Sequence, residues 1–479
     1  MTAEVLIASN RGPVSFQPGE DGSLTAQRGG GGLVSGLTSA VRDAAALWIC
    51  TAMSDYDREA AREAPNGRLD SAGHDTEGLA VRMLEIDPLT FQRAYNAVAN
   101  STLWFVHHLL YDTPLTPNFD AGFRREWTAY VSYNEAFAVA LAEEAAPAAR
   151  VVVQDYHLSL VPRMLRQLRP DIRIGHFTHT PWATPDYYGL LPDDVGADVL
   201  RGILGAEHAG FLCERWADAF LDCCECLDDA VVDRAARTVS MNGHTTTVAI
   251  HGLGSDGDFL RRRAAEQDVE ARRETLLASV RDTRVIVRVD RTELSKNIVR
   301  GLAAYRELLR THPEWRGRVT HVAFAYPSRH DLPEYREYTA SVLRIAREIE
   351  DEFGTAEWTP LLLQVDDDFP RSLAAYRLAD VLIVNPLRDG MNLVAKEVPV
   401  VSERGCALVL SREAGAYYDL GDDAIVINPY DISATAEALH EALTMDADER
   451  FERSKRLAEA STALPPQRWF ADQLAALRT

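Results

Sequence analysis

Residues 381–397 read VLIVNPLRDGMNLVAKE, and the order of residue types in this run decides the fold class. A β-rich apolar stretch stops at Pro386, a polar loop carries Asp389 and Gly390, and LVAKE opens a helical pattern. Strand, loop, helix is the order that builds an anion site. Amides at a helix start lack intrahelical partners and lie at the positive end of the helix dipole. Gly390 permits close approach of backbone, Asp389 is placed to hold sugar hydroxyls, and Glu397 can accept from a ribose diol. The same letters also suit a plain surface turn, so the neighbouring segments decide.

Outward from that run the pattern repeats. TRVIVRVDRTELSKNIVRG places Arg291 and Lys296 in a loop between a buried β run and a helix, and VTHVAFAYPSR places Arg329 in another such loop. Two cations at a strand end suit a diphosphate, Arg by its fork and Lys as a point charge. Earlier in the chain, EVLIASNRGPV ends a β run at Arg11, and RGGGGLVSGLTSAV runs glycines, Gly32 the last of them, straight into a helical pattern. It matches neither a GxGxxG dinucleotide fingerprint nor a Walker loop. FQRAYNAVANSTLWFVHH offers Tyr95 and Trp104 for stacking on a sugar. ARVVVQDYHL and IRIGHFTHTP are further β runs with Asp155, His157 and His179 at their carboxyl edges. His176 and His179 point to opposite faces of a strand and do not chelate together, so His179 is taken as a ligand residue and His176 as structural.

Recurring βα units with polar residues at the strand ends imply α/β architecture with parallel, doubly wound sheets and ligands at the carboxyl ends. At 479 residues the chain is too long for one ordinary core. The glycine-rich break HGLGSDGDF divides it, giving expected domains at 1–250 and 251–455 with a helical tail, 456–479, that packs back on the first domain. Helices between 126 and 148 offer a surface for a homo-oligomer.

The chain carries 72 acidic against 50 basic side chains, a formal charge of -22, which opposes nonspecific binding to nucleic acid or anionic membrane. No run of about 18 apolar residues indicates a membrane span, and no basic leader precedes an apolar stretch, so a cytoplasmic location is expected. Cys223, Cys224 and Cys226 lack a second pair at zinc spacing; buried thiols are expected, and no metal.

Together the motifs SNRGPV, GGGGL, YNAVANSTLW, QDYHL, HTP, DRTELSK, PSR, NPLRDGMNLVAKE and INPYD resemble, in order along nearly the whole chain, the retaining trehalose-6-phosphate synthases. These are glycosyltransferases of the GT-B type, with two Rossmann-like domains facing each other across a cleft. The resemblance implies transfer of glucose from a nucleotide-diphosphate glucose to glucose 6-phosphate, with no cofactor. Arg11, Tyr95, Trp104, Asp155 and Arg329 would serve the acceptor. Gly32, His179, Arg291, Lys296, Asp389, the 390–393 amides and Glu397 would serve the donor, and Asp155, Arg291, Lys296 and Asp389 the chemistry.

Three positions depart from the family pattern. LWICT stands where LWxGW is usual, so Thr51 replaces an aromatic; Asn297 replaces the glycine after the lysine; and Asp366, Asp367 and Asp368 occupy a base-contacting stretch that usually holds an aromatic. A carboxylate such as Asp367 accepts from the paired donors of guanine, which predicts GDP-glucose over UDP-glucose; alternatively these aspartates cap the next helix. The rival readings are a pseudoglycosyltransferase joining a cyclitol nucleotide to a phosphorylated aminocyclitol, which tends to alter the DGMN and DYH motifs that are intact here, and a noncatalytic sugar-phosphate sensor, whose signature is a lost ligand residue.

Overall fold

The structure, a computed structural model, describes residues 2–19, 23–28, 38, 41–42, 44–329 and 332–478. It divides into two compact units, Met1–Gly252 with Pro466–Thr479, and Leu253–Pro465. The helix Ala447–Thr462 belongs to the second unit, so the break expected after residue 455 falls inside a helix, and the chain changes unit at Pro466.

In the first unit the strands are β1 (Ala3–Ala8), β2 (Val14–Pro18), β3 (Leu24–Arg28), β4 (Leu47–Thr51), β5 (Ala80–Leu84), β6 (Ala145–Gln154), β7 (Arg173–Thr178), β8 (His208–Phe211), β9 (Ala230–Asp233), β10 (Thr238–Met241) and β11 (His244–Ile250). Among the described residues the main sheet has nine strands in the order β5-β4-β1-β6-β7-β8-β11-β10-β9, while β2 and β3 form a separate hairpin. Pairing is parallel from β5 to β11 and antiparallel across β11, β10 and β9. The hairpin between β10 and β11 turns at Asn242 and Gly243, both at positive φ (51° and 79°), as a tight turn matched to strand twist requires. The central strands are covered on both faces, which is why β1, β4 and β6 read as apolar runs without alternation.

The second unit holds β12 (Arg284–Arg291), β13 (Val319–Tyr326), β14 (Leu361–Gln364), β15 (Val381–Val384), β16 (Ala407–Ser411) and β17 (Ile425–Ile427) in the order β14-β13-β12-β15-β16-β17. Every pairing is parallel. Its core joins Ile286, Val319, Val381 and Val409 of the sheet to Leu302 and Tyr305 of the helix Ile298–Thr311. A parallel sheet sends all its strand-to-helix loops to one edge, so the loops bearing Arg291, Arg329 and Asp389 become neighbours.

The segment 126–148 does not form surface helices throughout. One helix, Ala121–Glu144, buries Trp127, Tyr130, Tyr133 and Phe137 within its own unit, and 145–148 already belong to β6. Among the described residues no helix is long and apolar enough to cross a membrane.

Candidate active site

In the second unit the loop after β12 and the loop after β15 are built as one piece. Lys296 Nζ lies 2.6 Å from Asp389 Oδ2, and Asn392 Nδ2 donates to the same oxygen at 3.1 Å. Asn297 Nδ2 donates to Asn385 O (3.0 Å) and Pro429 O (2.8 Å), Asn385 Nδ2 returns a bond to Asn297 O (3.1 Å), and the Leu387 amide donates to Ser295 O (2.8 Å). Asn297 stands at φ 57° and ψ 36°, a left-handed conformation in which asparagine is the usual substitute for glycine. The departure at this position therefore keeps the loop shape and adds side-chain bonds to two neighbouring loops.

The Asp389 loop leans on the loop after β16. Its amide donates to Glu413 O (3.2 Å) and its carbonyl accepts from the Gly415 amide (3.0 Å). A Cβ on Gly415 would fall 1.9 Å from Gly390 O, so the close approach requires glycine. Asn392 caps the helix Leu393–Val401, accepting from the Ala395 amide at 3.2 Å; the amides of Leu393 and Val394 lie in the first turn, beyond reach of intrahelical acceptors. Met391 is buried under this turn. One turn into the helix, Glu397 accepts from the Tyr376 hydroxyl (3.3 Å), and burial raises its carboxyl to about 7.

Charge at the Lys296 site is balanced within the loops. Burial opposes the ammonium, yet Asp389, Asp290 and Glu293 outweigh it and raise the lysine's pKa. Asp290 pairs with fully buried Arg288 (Nη2 to Oδ2, 2.7 Å), but burial dominates and lifts its pKa above the usual carboxylate range. Arg329 donates to the Tyr335 hydroxyl at 2.8 Å and lies 5.8 Å from that ring's centre.

In the first unit Arg11 Nη2 donates to the Tyr95 hydroxyl at 3.3 Å. Tyr95 is sandwiched between Phe91 (5.1 Å, 12°) and His157 (5.6 Å, 17°), and it sits in a π-helix, Arg93–Leu103, a wide turn that recurs at functional sites. Trp104 follows, stacked on His108 at 3.8 Å. Asp155 ends β6 at φ 73°, a strained conformation for a residue with a side chain. Its amide bonds Phe177 O (2.7 Å) and its Oδ1 accepts from the His179 amide (3.1 Å), so the ends of β6 and β7 are locked. His179 Nε2 lies 2.8 Å from Gln154 Oε1, and packing followed by the neighbouring His176 holds its pKa below the usual histidine range. His176 is buried within β7. Thr51 is buried, with its amide on Asn10 O (3.2 Å) and its hydroxyl on Leu84 O (3.4 Å), so the small residue is satisfied where the family pattern has an aromatic.

Several expectations meet the structure differently. Gly32 and its glycine-rich loop lie outside the described residues. Of the three aspartates weighed for guanine recognition, Asp368 caps the helix Phe369–Leu378 through the Arg371 amide (3.0 Å) and pairs with Arg272 (2.9 Å), while Asp366 and Asp367 are exposed. Among the described residues, His312, Glu314 and His440 form a cluster of potential metal ligands. The two imidazoles are stacked 3.8 Å apart at 12°, so their in-plane lone pairs run parallel instead of converging, and Trp315 donates to His440 Nδ1 at 3.0 Å. Sequence reasoning passed over Gln154, Tyr376 and Gly415, and gave Glu293 no role. Asn392 carried a recognisable signal, an N-cap residue just before LVAKE.

The sequence profile of glycosyltransferase family 20 matches residues 3–479. The chain belongs to glycosyltransferase family 20. It is 32% identical over 473 residues to a Schizosaccharomyces pombe protein named alpha,alpha-trehalose-phosphate synthase (UDP-forming), covering 97% of this chain and 88% of that one. A solved trehalose-phosphate synthase (UDP-forming) from Burkholderia vietnamiensis superposes with a TM-score of 0.83 at 28% identity, covering 99% of this chain and 100% of the other. A trehalose-6-phosphate enzyme from E. coli, solved with UDP-2-fluoro glucose, gives 0.85 at 26% identity, covering 99% and 98%. The family 20 chain is thus a hexosyltransferase of the trehalose-6-phosphate synthase type, with the GT-B fold class. These relatives are named as UDP-forming or hold a uridine ligand, which runs against the GDP-glucose expectation.

Proposed function

We propose that this family 20 enzyme transfers glucose from UDP-glucose to glucose 6-phosphate, giving α,α-trehalose 6-phosphate and UDP. The observation that carries the reading is the Lys296–Asp389 contact of 2.6 Å, a leaving-group cation and a sugar-binding carboxylate held together at one strand edge beside Arg291. Arg291 and Lys296 grip the diphosphate and take up its growing negative charge, Asp389 holds glucose hydroxyls, the first-turn amides of the 393–401 helix face phosphate and sugar, and Glu397 accepts from the ribose. His179 approaches the donor glucose. Arg11, Tyr95, Trp104, Asp155 and Arg329 serve the acceptor and its phosphate.

The bond from glucose C1 to the diphosphate oxygen breaks and one from C1 to the acceptor hydroxyl forms on the same face. The hydroxyl proton passes to the departing phosphate oxygen. No protein nucleophile takes part in this sequence, and orientation with charge stabilisation supplies most of the acceleration. The names of the relatives support uridine as the base.

Purified protein mixed with glucose 6-phosphate and UDP-, GDP- or ADP-glucose in turn tests the reading. A nonreducing disaccharide phosphate formed fastest with UDP-glucose is expected. Faster turnover with GDP-glucose removes the uridine assignment, and no product from any glucose donor removes the reaction itself. The same assay separates the two rivals, neither of which makes this disaccharide.

A further inference from the structure

One buried carboxylate has no part in the scheme above, although it stands among the scheme's cations. Glu293, in the loop after β12, is 1% exposed. Ser328, in the loop after β13, donates its hydroxyl to Glu293 Oε1 at 2.8 Å, and Arg291 Nε lies 3.6 Å from the same oxygen. The other oxygen, Oε2, has no hydrogen-bond partner among the described residues. The backbone of Glu293 also closes the loop: its amide donates to Arg291 O (2.7 Å) and its carbonyl accepts from the Lys296 amide (3.0 Å).

A buried carboxylate short of partners is costly unless opposite charge surrounds it. Burial does push Glu293 upward, but Arg329 first, then Arg291 and Lys296, reverse this and hold the carboxyl at about 2. β12 and β13 are adjacent and parallel, with Arg291 opposite Tyr326, so the loops that carry the two arginines leave neighbouring strand ends, and Ser328, next to Arg329, is tied to this one anion. Arginines lose considerable rotamer entropy on gripping a phosphate; a fixed anion that attracts both orders them beforehand.

We propose that Glu293 is a positioning residue that holds Arg291 and Arg329 as a single phosphate-gripping pair, one arm for the donor diphosphate and one for the acceptor phosphate. The proposal rests on the glucosyl-transfer reading, and the test keeps the two apart.

Glu293→Gln preserves shape and the Ser328 bond while removing the charge. Two ratios are measured: kcat/KM for glucose 6-phosphate over that for unphosphorylated glucose, and calorimetric affinity for UDP over that for uridine. Both should fall about tenfold or more. A purely structural role would lower melting temperature or overall turnover and leave the ratios alone; unchanged or increased ratios overturn the proposal. Should Glu293→Gln not fold, Ser328→Ala removes the tie between the loops and must lower both ratios in the same direction, and unchanged ratios there overturn it equally. Wild-type protein without preference for glucose 6-phosphate would defeat the transfer reading, and the UDP arm would then test Glu293 by itself.

Discussion

The proposed ribose contact of Glu397 predicts that donor binding depends on pH across the neutral range. Its carboxyl, raised by burial to about 7 with only the Tyr376 hydroxyl in support, is half protonated near neutrality when no ligand is bound. Only the ionised form can accept from both hydroxyls of a ribose. If binding selects that form, the dissociation constant scales inversely with the ionised fraction. Between pH 8 and pH 6 that fraction falls from about 0.9 to about 0.1, so the dissociation constant should rise about tenfold, a change of about 1.4 kcal/mol. Isothermal titration with UDP-glucose is the suitable assay, because its esterified diphosphate does not titrate in this interval. Glu397→Gln should bind more weakly than wild type at pH 8 and show no slope. A flat wild-type profile, or the same slope in the variant, would refute the reasoning. The sign for stability is opposite. A carboxyl whose folded-state value lies above its unfolded value of 4.5 destabilises the fold progressively as pH rises from about 4.5 through about 7. Glu397→Gln should therefore melt higher than wild type at pH 8, by at most about 3 kcal/mol of stability, and show no gain at pH 4.

Three substitutions probe the loops. Asp389→Ala breaks the pair with Lys296 and removes the proposed sugar contact, and should lower kcat by about 1,000-fold, measured as UDP release, with an unchanged circular dichroism spectrum. Asn297→Gly keeps the left-handed backbone but deletes the bonds to Asn385 and Pro429, costing about 1–2 kcal/mol, whereas Asn297→Val also strains φ 57° and should cost more; melting curves for the pair check the order. Gly415→Ala drives a methyl into Gly390 O and should impair turnover more than it lowers the melting temperature, since the loop can shift only by displacing Asp389.

Much of the fold was legible because strands buried on both faces of a parallel sheet read as apolar runs, and each run here ends in a loop with a charged residue. Arg291, Lys296 and Asp389 could be assigned to one edge on that ground alone. Local pattern says nothing, however, about which loop touches which. Ser328 and Glu293 come from different strand loops, and only the register of β12 on β13 brings them together, so the sequence alone assigns Glu293 no role. Likewise the aspartates at 366–368 suit both base recognition and helix capping by composition; only the folded loop shows that Asp368 caps, through the Arg371 amide, and pairs with Arg272. The wide turn from 93 to 103 depends on a shift of hydrogen-bond partner that no side-chain pattern announces. The tail expected to return to the first unit from residue 456 does so only at Pro466, where Trp469 packs against Phe177 at 4.9 Å, a crossing point that a helical pattern alone does not specify.

The reciprocal amide bonds between Asn297 and Asn385, with Leu387 on Ser295, bear on how such an enzyme could be re-engineered. A designer wishing to exchange the Asp389 loop for that of a relative with another sugar preference would be transplanting half of a joint. The segment from Arg291 to Asn297 has to travel with it, together with the residue at 415, as one cassette; grafts that split the cassette should lose both partners' alignment even when every ligand residue is conserved.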